Sequence, residues 1–234
     1  MAISITLVNP RDVAASLEKI GWMASVSSAA KSDLKAIGLH CLESGHFTPS
    51  RPVLFEFSIE GVSRVFSHQF VREEVGVYKV QESQRYVCMG VPNYVTPPTI
   101  KPDTYAAAAY TKLMNLCWET YHELIASGVS ADDARFAIPG AAITKLHVAI
   151  SLEAMIRIAN KRLCRRASWE IREVVAEMVR LICDIEPYYS KFLVPNCEKL
   201  LYCPEKKGCG LKPSKNQLEE IMWIHNEHND LRDS

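Results

Sequence analysis

The chain carries no surplus of either charge: 27 Lys and Arg balance 27 Asp and Glu. A general nucleic-acid binder needs a basic excess or a segregated basic face, so the balance argues against one, and any anion site must be local. No apolar run approaches the about 18 residues that span a bilayer. The opening MAISITLVNPRDVAASLEKIGWMA lacks the charged start and long apolar core of a secretion signal. A soluble, cytoplasmic protein is expected, with neither membrane nor nucleic acid as partner. Internal repeats and low-complexity tracts are absent. The eight cysteines do not require a disulfide framework, because 234 residues with 48% hydrophobic content suffice for an ordinary core. Cys41, Cys88, Cys117, Cys164 and Cys183 fall in apolar patterns and read as buried thiols.

Periodicity and punctuation give the elements. ISITLVN (3–9), VLFEFSIEG (53–61) and AITKLHVAIS (142–151) alternate as strands. Helices are expected over 10–24, from a Ser32-Asp33 cap to about Ser44, and over 61–73, 102–127, 130–138, 152–163, 168–184 and 215–226. Leu34, Ile37, Leu39 and Cys41 mark the apolar side of the second helix, and Gly45 closes it. Residues 74–100 read as one long irregular segment, of the kind that is often functional. The mixture implies an α/β (α+β) fold, with helices packed on a modest mixed sheet.

Four arginines stand beside apolar patterns where arginine normally avoids burial: Arg72, Arg85, Arg135 and Arg162. Each offers a permanently charged fork of donors suited to phosphate or carboxylate. If the fold gathers several of them, a doubly charged anion is the natural occupant.

The motifs around them are ordered as in a known family. ESGHFTP (43–49), VLFEFSIEGVSR (53–64), HQFVR (68–72), ESQRYV (82–87), ARFAIP (134–139) and RLCRRASWEIRE (162–173) resemble the flavin-dependent thymidylate synthases (ThyX). The likeness covers about residues 30–210, and CPEKKGCG (203–210) is similar to an extension in some members. It implies a catalytic domain over 1–210, an extension over 211–234, and a homotetramer with active sites shared between subunits. It also implies methylation of dUMP at uracil C5 to give dTMP, with carbon from methylenetetrahydrofolate and hydride from reduced FAD regenerated by NADPH. Gln69, Arg72, Gln81, Glu82, Ser83, Gln84, Arg85, Arg135 and Arg162 match the dUMP site. Arg162 on the uracil edge and Ser83 carry the catalytic roles, and Arg85 reaches in from a neighbouring subunit.

The flavin side departs from the pattern. The family's Arg-His-Arg is here Arg72-Glu73-Glu74, and the stretch to Arg85 is one residue longer. Its Asn-X-Arg is Ser151-Leu152-Glu153, and the asparagine one turn on is Arg157. The Gln of its Ala-Gln-X-Glu is Ser168. His46 is the clear match, and Glu73, Glu74, Ser151, Glu153 and Arg157 are the remaining candidates on the FAD side.

The charge changes permit several readings. The new acids can pair with Arg157 or Arg64 and leave FAD bound in a rearranged pocket. FAD binding can instead be lost, leaving a different one-carbon transfer such as dUMP hydroxymethylation, or a non-catalytic dUMP-binding protein. Glu73 and Glu74 can also be merely solvated.

Other signals are weaker. Glu170 and Arg172 should divide between supporting the nucleotide site and a structural pair, and Trp169 should be core. Tyr78 should pack, or stack on a ring. Cys197, Cys203 and Cys209, with His225 and His228, invite a zinc reading. Their five-residue gaps differ from common zinc spacing, so no metal site is assigned.

Overall fold

The computed structural model describes residues 2–27, 33–87 and 89–219. Four strands, β1 (Ser4–Leu7), β2 (Leu54–Ser63), β3 (Val77–Gln81) and β4 (Ile143–Ser151), form a sheet in the order β1-β2-β4-β3. Every pairing is antiparallel, so the sheet is modest as expected but not mixed. Among the described residues, no strand–helix–strand crossover returns in the parallel sense.

Alternation along β2 and β4 sends Phe55, Phe57, Ile59, Leu146, Val148 and Ile150 to one face, each at most 4% exposed. The register sets Phe55 against Ile150 and Phe57 against Val148. Each such side chain contributes about 1.5–3 kcal/mol on burial, which makes this patch the centre of the core. The ladder slips between Ile59 and Val62. Gly61 takes a φ of 76° there, and a Cβ at this position would lie 2.5 Å from the Ala2 carbonyl oxygen.

The expected first helix is two: α1 (Pro10–Ala14) and α2 (Ser16–Ala24), broken at Ala15, whose ψ of 0° leaves helical geometry. Asp33 caps α3 (Leu34–Glu43) by accepting from Ala36 N–H at 2.9 Å; Ser32 lies outside the described residues. Gly38, Cys41 and Leu42 are the buried residues of α3, while Leu34, Ile37 and Leu39 are only half-buried. The helix expected over 61–73 is the shorter α4 (Arg64–Phe70), because Ser63 still belongs to β2 and caps it.

α5 (Thr104–Ala126) matches expectation closely, while α6 (Ala131–Ala134) gives way to a 3-10 turn at Arg135–Ala137. The largest departure is β3, a strand inside the segment read as irregular. It is an edge strand whose burial alternates, but the outward Tyr78 and Val80 are apolar and 66% and 73% exposed while the inward Lys79 and Gln81 are polar, so the sequence carries no matching alternation.

α7 (Leu152–Arg162) and α8 (Trp169–Ile185) complete the core. Ile171, Val174, Val175, Met178 and Ile182 recur at helical spacing on α8 and are fully buried. α8 packs against β1, α1, α4 and α7. A 3-10 turn (Pro187–Lys191) and α9 (Asn196–Leu200) follow. Residues 215–219 are helical, and the rest of the helix expected to 226 lies outside the described residues.

Cys41 is buried, but Cys117, Cys164 and Cys183 are only half-buried, and Cys88 is outside the described residues. Trp169 is half-buried at the start of α8 rather than core. No described helix is long and apolar enough to cross a membrane.

Candidate functional site

Ser151 ends β4 and caps α7, its hydroxyl accepting from Ala154 N–H. The buried face of α7 is apolar apart from Asn160, and Arg157 and Lys161, four residues apart, share an outward face. Together with Arg162 they converge on one carboxylate, Glu73, which is 1% exposed. Arg162 donates to Glu73 Oε1 from Nη2 at 2.7 Å and Nε at 3.0 Å, and Lys161 reaches the same oxygen at 3.2 Å. Arg157 Nη1 lies 3.6 Å from Oε2. Burial pushes the Glu73 carboxyl up, but the hydrogen bonds and charges of Arg162 and Lys161 outweigh it and leave the pKa lowered.

The chain around Glu73 is gripped as well. Lys79 Nζ donates to the Val71 and Glu73 carbonyls at 2.9 and 2.8 Å, and Arg157 Nη2 donates to the Val75 carbonyl at 2.6 Å. Glu73 is therefore not solvated, whereas Glu74 is exposed. The compensating pair with Arg157 exists. Glu153 instead pairs with Arg51 at 2.6 Å, and Arg64 donates to the Glu82 carbonyl at 2.7 Å.

Behind this cluster opens a cleft of about 830 Å³. Ser151, Glu153 and Arg157 line it, as do Phe47, next to the exposed His46, and Tyr78. Gly76, at φ 73°, lets the loop close against the cap: a Cβ would lie 2.4 Å from Ser151 Oγ. Arg51, Asn160, Lys161, Asn196 and Lys199 also line the cleft and were not anticipated. Only Lys161 carried a sequence signal, its spacing from Arg157. Glu73 and Glu74 are not among the lining residues; Glu73 instead holds the cations that are.

Gln69 and Gln81 meet in a second cleft of about 600 Å³, with Arg64 and Ser67 in its wall. Gln81 Nε2 donates to Ser67 Oγ at 2.8 Å. Burial lowers the Arg64 pKa, and its Nε is buried without a hydrogen-bond partner. Beneath this region Glu170 is buried and accepts from Ser63 N–H at 2.7 Å and its hydroxyl at 2.5 Å, tying α8 to the start of α4. Arg172 donates to the Arg165 carbonyl at 3.1 Å.

Arg85 and Arg135 share Asp132, at 3.2 and 2.9 Å. These are ion pairs by distance rather than aligned hydrogen bonds, since Asp132 Oδ1 has no hydrogen-bond partner. Ser83 accepts from Arg85 N–H at 3.2 Å, and Glu82 lies 3.6 Å from Lys145. Gln84 is half-buried, while Arg72 is exposed and forms no ion pair among the described residues. The four arginines thus divide into Arg85 with Arg135, Arg162 with Glu73, and Arg72 alone. Among the described residues no hydrogen bond or ion pair links these groups.

The order of the motifs and this architecture match known proteins. The family model described as thymidylate synthase complementing protein matches residues 9–188. The chain belongs to this family. It is 35% identical to a flavin-dependent thymidylate synthase of Pyrococcus furiosus, over 94% of this chain and 98% of the relative. It is 37% identical to one of Nitratidesulfovibrio vulgaris, over 76% of each. A crystal structure of the UMP/dUMP methylase PolB from Streptomyces cacaoi, bound with 5-Br dUMP, superposes with a TM-score of 0.70. At 18% identity, covering 82% of this chain and 97% of PolB, it shows that the two share a fold.

Proposed function

We propose that this protein methylates dUMP at C5 to give dTMP. The observation that carries the reading is the cation-rich face of α7, held by Glu73 and opening on the larger cleft, in a chain that aligns with nearly the whole of a flavin-dependent thymidylate synthase. The cleft fits FAD. Arg51, Arg157, Lys161 and Lys199 face a single carboxylate, Glu153, so the wall is net positive, as a diphosphate requires. Phe47 and Tyr78 add aromatic faces. FAD, reduced by NADPH, would supply the two electrons that bring the carbon of methylenetetrahydrofolate to the methyl level, while C5 of uracil gives up its proton.

The chain's own residues bind and orient the nucleotide. Arg72, Arg85 and Arg135, with Ser83, are suited to the phosphate, and Gln69 and Gln81 to the base edge. Glu82 and Gln84 flank Ser83 in the same loop. Arg162 spends Nε and Nη2 on Glu73, and its Nη1 has no acceptor among the described residues. That leaves a positioned cation to stabilise charge developing on the pyrimidine. A homotetramer accounts for the separation of Arg85 and Arg135 from Arg162, because a second copy can bring the two groups to one nucleotide. The exposed Tyr78 and Val80 on the open sheet face support such an association.

The test is turnover of dUMP with methylenetetrahydrofolate, NADPH and FAD, read by product mass and flavin absorbance. A product of dTMP mass and a bound-flavin band are expected. A product one oxygen heavier, or dUMP bound without turnover, overturns the reading.

A further inference from the structure

We propose that Cys164, Cys197, Cys203 and Cys209 form a thiolate site for a soft divalent metal ion of the zinc class. All four line one cavity of about 220 Å³, and none of them lines the larger cleft. They come from three places: the turn after α7, the helix α9, and the loop that follows it. Cys197 is near enough to Cys164 and Cys203 to interact electrostatically with both. The five-residue gaps between Cys197, Cys203 and Cys209 differ from common zinc spacing, but the fold supplies a fourth thiol, Cys164, from a distant segment. Four cysteines around one ion are a standard structural zinc set.

The segment carrying three of these thiols needs such a cross-link. From Pro195 to Glu219 no residue is buried, so the segment has no apolar core of its own. Small segments without a core depend on metals or disulfides for their order. No cysteine is disulfide-bonded among the described residues. The backbone is nevertheless laid out around the cavity. Cys203 N–H donates to the Pro213 carbonyl at 2.7 Å, Cys203 bridges Ser214, and Arg166 donates to the Lys207 carbonyl. Lys212 pairs with Glu198 at 3.2 Å.

Among the described residues no three donors yet stand arranged to hold a metal, so binding requires thiols to turn inward. Rotation about χ1 suffices to move a thiol without moving its backbone. Four thiolates around a doubly charged cation leave two negative charges. Lys161, Arg165 and Arg166 in the same wall outnumber Glu198 and Glu205 and offset part of that excess.

The site also bears on the neighbouring cleft. Asn160, Lys161 and Asn196 line both cavities, so a metal would pin the outer wall of the larger one.

The experiment uses the full chain purified without chelator, analysed for bound metal, then stripped and titrated with Zn²⁺ and with Co²⁺. About one metal per chain is expected, as is a thiolate-to-Co²⁺ charge-transfer band. Cys197→Ser and Cys203→Ser should each weaken Zn²⁺ binding by at least roughly tenfold. Cys183→Ser, outside the cavity, should leave binding unchanged. A folded wild-type protein with neither metal nor Co²⁺ band overturns the proposal. So does thiol counting that finds these cysteines in native disulfides, or full metal retention in a Cys203→Ser, Cys209→Ser double variant. None of these readouts depends on dUMP turnover.

Discussion

Two carboxylates in this fold each gather arginines, and they do so in opposite ways. Glu73 is buried and takes contacts from Arg162, Lys161 and Arg157. Asp132 is half-exposed and its carboxylate pairs with Arg85 and Arg135 without aligned hydrogen bonds, while its backbone carbonyl accepts from Arg135 Nε at 2.9 Å. A buried carboxylate with good donors is a fixed part of the protein, and removing it strands its partners. A half-exposed one whose paired oxygen makes no aligned hydrogen bond can be released to an incoming anion at lower cost. The first arrangement suits the positioning of a cation, the second the capture of a phosphate.

The most severe break is expected from Glu73→Ala. It leaves Arg162, whose side chain is only 16% exposed, beside Lys161 and Arg157 with no counter-charge. We expect a loss of about 3 kcal/mol in urea unfolding, the lower end of the cost of breaking a buried pair, because Lys161 and Arg157 can turn to solvent. Asp132→Ala should cost less than about 1 kcal/mol. Equal losses would erase the distinction between the two sites.

Next comes Arg135→Ala. If this arginine binds phosphate, the loss of a charge-assisted hydrogen bond, about 1.5–3 kcal/mol, should raise KM for dUMP roughly ten- to hundredfold. The unfolding midpoint should barely move. A drop in stability with unchanged KM would make Arg135 a structural residue and Asp132 its permanent partner.

The contrast was only partly legible in the sequence. Alternation in β2 and β4 and the 3.6-residue period of α8 marked the core, because strong burial imprints a strong pattern. β3 escaped because an edge strand with Tyr78 and Val80 facing outward has little pattern to read. Family spacing drew attention to Arg162 and Glu73, but their contact joins residues 89 positions apart. An acid followed by another acid reads as a solvated pair until the fold places three cations over it. Arg51, Asn196 and Lys199 reach the cleft from positions just outside the motifs of their segments, so no pattern marked them. Cys164 sat in an apolar pattern, so only the folded chain shows it sharing a cavity with the cysteines of the tail.

A smaller effect separates the two carboxylates by pH. The Glu73 pKa is lowered in the folded state, so its contribution to stability is complete above the ordinary glutamate value of about 4.3. The contribution is lost as pH falls from there through the lower folded value. Wild type should lose stability over that window that Glu73→Gln does not lose. Urea midpoints of the two proteins measured down this pH range test it, and parallel curves would mean that Glu73 gains no net stabilisation from its cations.

The smallest effect is also the most diagnostic. In Asp132→Asn, Arg85 and Arg135 lose a counter-ion that any phosphate must displace. Neither carboxylate contact is an aligned hydrogen bond, and the Asp132 backbone carbonyl, which the variant keeps, still accepts from Arg135 Nε at 2.9 Å, so the carboxylate competes with ligand more than it orients the guanidinium groups. The released competition corresponds to an exposed pair of about 0.2–1 kcal/mol, so KM for dUMP should fall by roughly two- to fivefold at low salt. The gain should shrink as ionic strength rises, because exposed charges are screened. A rise in KM instead would show that Asp132 holds its arginines in place for the nucleotide. Asp132 would then do for Arg85 and Arg135 what Glu73 does for Arg162, and the two carboxylates would differ in exposure but not in role.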